Sequence, residues 1–224
     1  MSLNVDVSRR SPNFAAREIE VEYLVLHYTA CDLERTMKIF EDPARGVTSH
    51  FVIDVDGTVY DLSGTLASGR ALQGAHAGKS RWPAEDGTVL EAFNRFALGI
   101  EMVNLNGNLF PYPDAQMRAL GELAVELKRL FPALRDPRRV VGHEQIAGFR
   151  GKCDPGARFD WARFFASAYP SETAPKREPL LAGAKLKALE ERVASVPAAE
   201  KADPDFWARF SHETELALDA SRDG

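Results

Sequence analysis

Residues 21–28 (VEYLVLHY) form an almost unbroken apolar run with β-branched and aromatic members, which predicts a central strand buried on both faces. His27 falls at its carboxyl end. Asp32 stands where it caps a short helix, with Leu33, Met37 and Phe40 at helical spacing before Pro43 and Gly46 end it. Residues 49–55 and 58–62 flank Asp56-Gly57, a strong hairpin signal, so two antiparallel strands follow and the sheet is mixed. Residues 63–95 hold glycine, alanine, serine and charged positions without a sustained period, predicting a long surface excursion of the kind that borders a site. A further apolar strand covers residues 98–104. Beyond Pro113, Met117, Leu120, Ala124, Leu127 and Phe131 step by threes and fours, predicting an amphipathic helix that covers one sheet face. A short strand over residues 139–142 delivers His143 to another strand end, an irregular glycine-rich stretch runs to Gly156, and a closing helix spans residues 159–169. Residues 170–179 (PSETAPKREP) have linker composition, and residues 180–196 and 205–218 carry two helical patterns. The expected fold is mixed α/β: a central mixed β-sheet of about five or six strands flanked by helices, with a C-terminal helical extension. Residues 1–170 are expected to form one domain, with residues 171–224 as linker and tail of unknown role.

Composition narrows the function classes. With 224 residues, 45% hydrophobic and 27% charged, the chain suffices for one sizeable core plus an appendage. A net charge of −5 provides no basic field, so nucleic acid is not an expected partner. No stretch approaches the ~18 apolar residues of a membrane span, and the first twenty or so residues carry no apolar signal core, so no membrane span is expected. The expected location is cytoplasmic as the sequence stands, or periplasmic or secreted if a signal was removed or a specialised export route is used. Two cysteines, Cys31 and Cys153, cannot build a disulfide framework.

Catalytic zinc takes three nitrogen, sulfur or carboxylate ligands and keeps a fourth position for water. His27 and His143 close two strands, and Asp154 follows in a loop rich in glycine, so all three can converge at one sheet edge. The alternative is that the histidines are satisfied by backbone carbonyls and Asp154-Pro155-Gly156 is a plain turn. Glu101 lies within an apolar strand, where an unpaired carboxylate is expensive to bury. It either faces a polar site or sits on an edge strand toward solvent.

Five segments in order carry a more specific signal: VLHYTA at residues 25–30, TSHFVIDVDGTVYDL at 48–62, HAGKSRW at 76–82, LGIEMVN at 98–104 and VVGHEQIAGFRGKCDPG at 140–156. Together they resemble the amidase 2 family of N-acetylmuramoyl-L-alanine amidases, which includes AmpD-like enzymes and is similar in fold to peptidoglycan recognition proteins and phage lysozyme-type amidases. The resemblance covers roughly residues 11–169 and leaves the tail unexplained. It implies zinc held by His27, His143 and Asp154, with the adjacent Cys153 competing for the third position because some relatives use cysteine there. It also implies Glu101 as the group that orients and deprotonates water, and Lys152 as the cation that stabilises the developing oxyanion. His50, His76 and Trp82 are expected near the substrate, with packing roles as their alternatives, and Asn94 is an accessory candidate.

The implied activity is zinc-dependent hydrolysis of the amide between the lactyl group of N-acetylmuramoyl or anhydromuramoyl and L-alanine, in peptidoglycan or its muropeptide fragments. The alternative is a noncatalytic peptidoglycan-binding module on the same fold. Leu181, Leu189 and Val193, with Phe206, Trp207 and Phe210, are expected to pack the tail against the parent domain, a dimer contact or wall-targeting helix being the other readings.

Overall fold

The computed structural model describes residues 3–84 and 86–219, so the outer ends of the two expected units lie outside the described residues. In chain order the strands and α-helices are β1 (Val5–Asp6), β2 (Glu18–Ile19), β3 (Tyr23–Tyr28), α1 (Leu33–Glu41), β4 (Phe51–Ile53), β5 (Val59–Asp61), α2 (Thr65–Ser68) and β6 (Ala71–Leu72). There follow β7 (Arg81–Pro83), β8 (Val89–Glu91), β9 (Ala97–Met102), α3 (Asp114–Leu130), β10 (Val140–Gly142), α4 (His143–Ala147) and α5 (Trp161–Ala168). The tail supplies α6 (Gly183–Ala194), α7 (Ala198–Lys201) and α8 (Phe206–Leu218).

Six strands form the central sheet in the order β1-β5-β4-β9-β3-β10. Only β4 and β5 run antiparallel, joined by the Asp56-Gly57 turn, where Gly57 takes a positive φ of 90°. The other four pairings are parallel. All six residues of β3 are buried, as a strand covered on both faces requires. α1 begins where its cap residue dictates: the Asp32 carboxylate accepts a hydrogen bond from the Arg35 backbone N–H at 2.8 Å.

Alternation along the strands divides the packing. Leu24, Leu26, Phe51, Ile53, Leu98 and Ile100 face α3 and α5, which answer with Leu120, Leu123, Leu127, Phe164 and Phe165 in the largest core. Val25 and Val141 face the other way, onto Ala77, Phe93 and Ile146. Further along that side, Met37 and Phe40 of α1 pack with Val52 and Leu62.

Two regions differ from the sequence reading. Residues 63–95 are not one irregular excursion: β6 pairs with β2, β7 pairs with β8, and Ala71, Ala77 and Phe93 are fully buried. Strands of two or three residues are too short to display a period, which is why the pattern looked irregular. His143 is the first residue of α4 rather than the end of a strand, and Gln145 Oε1 accepts a hydrogen bond from the Gly142 N–H at 2.6 Å where strand becomes helix.

Candidate metal centre and its pocket

Register brings the chemistry together. In the parallel pair β3–β9, His27 stands opposite Glu101. In the pair β3–β10, Gly142 stands opposite Leu26, so the next residue, His143, emerges beside His27. Three adjacent strands therefore present His143, His27 and Glu101 along one carboxyl-terminal edge, where open α/β sheets bind their ligands. Asp154 arrives from the loop after α4, held there because its carbonyl accepts a hydrogen bond from the Glu144 N–H at 2.8 Å.

His27, His143 and Asp154 form a buried group whose donor atoms can hold a metal ion. His27 Nδ1 lies 3.1 Å from His143 Nδ1 and 2.9 Å from Asp154 Oδ2, and His143 Nδ1 lies 3.1 Å from the same oxygen. The other ring nitrogens define the tautomers. His143 Nε2 is 3.1 Å from the Ala77 carbonyl and must carry a proton to donate there. His76 Nε2 likewise donates to the Ala97 carbonyl at 3.2 Å, leaving its Nδ1 to accept from His27 Nε2–H at 3.0 Å. Both Nδ1 atoms are thus lone pairs aimed at one point, the orientation that such outer partners impose on metal ligands.

The His76 segment is itself braced. Asn94 Oδ1 accepts hydrogen bonds from the His76 N–H at 3.1 Å and the Ala77 N–H at 2.8 Å, so one side chain positions both supports of the ligand histidines. Gly99 of β9 makes room: a Cβ there would lie 2.5 Å from the His76 ring.

Electrostatics follow from burial. Desolvation, reinforced by His143, pushes His27 down to about 4 against the pull of Asp154. Burial pushes the Asp154 carboxyl up, but His143 and His27 outweigh it and hold the group well below the usual carboxylate range. Burial, then Asp154, raises Glu101 to about 8, with Lys152 opposing. Its Oε2 is buried without a hydrogen-bond partner among the described residues. β9 is an interior strand, so the solvent-facing edge alternative for Glu101 does not describe it.

The group opens into a pocket of about 300 Å³ that Glu101, Lys152 and His76 also line. Its far wall is α8, through Ala208, Ser211, His212 and Glu215. Lys152 Nζ donates to Glu215 Oε2 at 2.7 Å. Burial works to lower the lysine's pKa, but Glu215 and Asp154 together raise it, so it stays charged.

The remaining sequence candidates lie elsewhere. His50 is fully buried, donating from Nε2 to the Leu72 carbonyl at 2.8 Å and accepting the Gly99 N–H on Nδ1 at 3.0 Å. Desolvation pushes it down to about 4. Trp82 packs on the Tyr23–Phe93 cluster and lines a separate cavity with Arg177, whose guanidinium lies 5.7 Å from the indole ring. Cys153 turns away from the donor group, its Sγ 3.8 Å from Tyr28 Oη and 3.5 Å from Asn108 Nδ2, and burial pushes its thiol up to about 12. Sequence reasoning passed over Ser211, His212 and Glu215. Their helical spacing with Ala208 was visible, but nothing local reveals which surface a helical stripe will face.

A mixed sheet with a buried two-histidine, one-carboxylate group at its carboxyl edge defines a metal-capable α/β protein. The chain belongs to the N-acetylmuramoyl-L-alanine amidase family, whose profile matches residues 17–157. It is 38% identical over 92 residues to 1,6-anhydro-N-acetylmuramyl-L-alanine amidase AmpD of Haemophilus influenzae, covering 41% of this chain and 45% of that protein. It is 29% identical over 163 residues to N-acetylmuramoyl-L-alanine amidase AmiD of Escherichia coli, covering 69% and 55%. The chain spans about half the length of the curated relatives it matches. Among solved structures, a selenomethionine AmpD derivative superposes with a TM-score of 0.57 at 25% identity, over 75% of this chain and 98% of that one. AmpDh3 of Pseudomonas aeruginosa gives 0.54 at 27% identity, over 86% and 74%. The family match ends before α5, so α8 lies outside it.

Proposed function

We propose that this chain is a zinc-dependent amidase that hydrolyses the bond between the lactyl group of N-acetylmuramoyl, or its anhydro form, and L-alanine in peptidoglycan fragments. The observation that carries this reading is the convergence of His27 Nδ1, His143 Nδ1 and Asp154 Oδ2 beside Glu101 and Lys152 in one pocket. Family membership and the names of the AmpD and AmiD relatives support the choice of bond and substrate.

The donor set fits zinc. Ligand atoms about 2.0–2.1 Å from a tetrahedral ion sit roughly 3.3 Å apart, close to the 2.9–3.1 Å separations here. Two neutral imidazoles and one carboxylate are also a borderline ion's preferred company. Held by His27, His143 and Asp154, zinc would supply Lewis acidity and would make a water acidic enough to attack at neutral pH.

The chain's own residues do the rest. With the charge of a cation in the adjacent donor group drawing the Glu101 pKa back down from about 8, its carboxylate accepts the proton of the attacking water and returns it to the alanine nitrogen as the amide C–N bond breaks. The Lys152 ammonium faces the carbonyl oxygen as it gains negative charge. His76, Ala77 and Asn94 hold the ligand rings in the tautomers that the ion requires.

The test is mass spectrometry of purified muropeptides incubated with zinc-loaded wild type, with His143→Ala and with chelator-treated protein. Release of stem peptide beginning at L-alanine, lost in both controls, is the expected result. Zinc-loaded protein that binds muropeptide without cutting it would replace the amidase reading with that of a binding module.

A further inference from the structure

α8 presents two faces with different tasks. Phe206, Trp207 and Phe210 join Leu181, Leu189 and Cys153 in an apolar cluster. The stripe Ala208, Ser211, His212 and Glu215 recurs at helical spacing and looks into the metal-capable pocket. The helix is built in, not loosely laid over the opening. Asn106 Nδ2 donates to Ser211 Oγ at 3.1 Å, both residues being buried. Arg35 pairs with Asp205 at the helix start. The loop leading to Lys152 touches the other end: Gly151 has a φ of 78°, and a Cβ there would lie 1.9 Å from the Glu215 carbonyl oxygen.

Lysine is a flexible point charge with three donors, so a pocket that needs its charge at one place must restrain it. Among the described residues Lys152 Nζ makes one side-chain hydrogen bond, to Glu215 Oε2 at 2.7 Å. The same pocket is lined by Asp154 and Glu101.

We propose that α8 is part of the reaction site, with Glu215 a positioning residue that holds the Lys152 ammonium facing the scissile carbonyl. The unit that works on substrate then extends past the family-matched residues into the tail. What Lys152 acts upon rests on the amidase reading; that Glu215 positions it does not.

The experiment uses the full zinc-loaded chain in three forms: wild type, Glu215→Gln and Glu215→Asp. In muropeptide cleavage, Glu215→Gln is expected to lower kcat about tenfold or more, as small misplacements of catalytic groups do, with KM within about twofold. Zinc content and melting temperature should stay near wild type, and Glu215→Asp, which keeps the charge, should recover part of the loss. A second arm needs no activity. Pulse acetylation with acetic anhydride, read by mass spectrometry, should label Lys152 more slowly than exposed Lys185 in wild type and several-fold faster in Glu215→Gln.

Unchanged labelling of Lys152 overturns the proposal whatever the activity does. A kcat that is unchanged or raised in Glu215→Gln also overturns it, a rise meaning that Glu215 masks the lysine. Wild type that cleaves nothing removes the amidase reading alone, and the labelling arm still decides the role of Glu215.

Discussion

The pocket has two sides of unlike construction. On one side, His27 and Glu101 come from two neighbouring parallel strands and His143 directly follows the end of a third, so their relative positions follow from backbone register. On the other, Ser211, His212 and Glu215 come from α8, whose position depends on apolar packing of Phe206, Trp207 and Phe210. Register is set by a ladder of hydrogen bonds and by which side chains must be buried, so a slip by one residue would invert every side chain of the strand. A docked helix has no such ladder. Its placement is a sum of side-chain contacts and can be changed without disturbing the sheet. The expectation is that the sheet side governs whether chemistry occurs, while the helix side governs how well.

The sharpest way to break this division is Glu101→Gln, which keeps shape and removes the proton acceptor. Cleavage should fall by about 10²–10⁴-fold while zinc content stays at the wild-type level, read by single-turnover assay and metal analysis. Normal turnover would move the proton-transfer role off the strand edge.

On the helix side, Phe210→Ala removes a buried ring from the cluster that seats α8. A loss of about 3–5 kcal/mol is expected if the tail unfolds together with the sheet, measured by urea denaturation. A separate early transition with the main one unmoved would instead show α8 melting alone.

A pH test separates core packing from the pocket. His50 has its pKa lowered from 6.5 to about 4 by burial, so between these values the unfolded chain takes up a proton that the folded chain refuses. Its contribution to stability is therefore full above pH 6.5 and shrinks as the pH falls toward 4, by on the order of 3 kcal/mol. Because other buried groups titrate across the same window, the His50 ring resonance is the readout, and it should titrate near pH 4. A midpoint near 6.5 would contradict the buried, doubly hydrogen-bonded placement.

The smallest expected effect sharpens the sheet side. His76→Ala removes the acceptor that orients His27, and zinc affinity should weaken by about 10–100-fold, measured by competition with a chromophoric chelator. Unchanged affinity would mean that the His27 ring is held by packing alone.

Much of this architecture is legible in the sequence. The unbroken apolar run of β3, the Asp32 cap, the Asp56-Gly57 turn and the stepped apolar face of α3 each have a local physical cause, and each forms where that cause lies. The donor group was legible through the motifs around His27, His143 and Asp154, which the fold does bring together. What depended on distant packing was not. His50 is expected near the substrate or in packing, and both its ring nitrogens bond to backbone. Trp82 is expected near the substrate or in packing, and it packs beside Arg177 in another cavity. Glu215 looks like one more surface acid until α8 is seated against Gly151 and Lys152.

The central claim is that His27, His143 and Asp154 hold the zinc ion that amide hydrolysis needs. An anomalous difference map collected at the zinc absorption edge from crystals of the zinc-loaded chain tests it most directly. The expected result is one strong peak bounded by His27 Nδ1, His143 Nδ1 and Asp154 Oδ2. A peak bonded to Cys153 Sγ, or no peak between the two histidines, would contradict it.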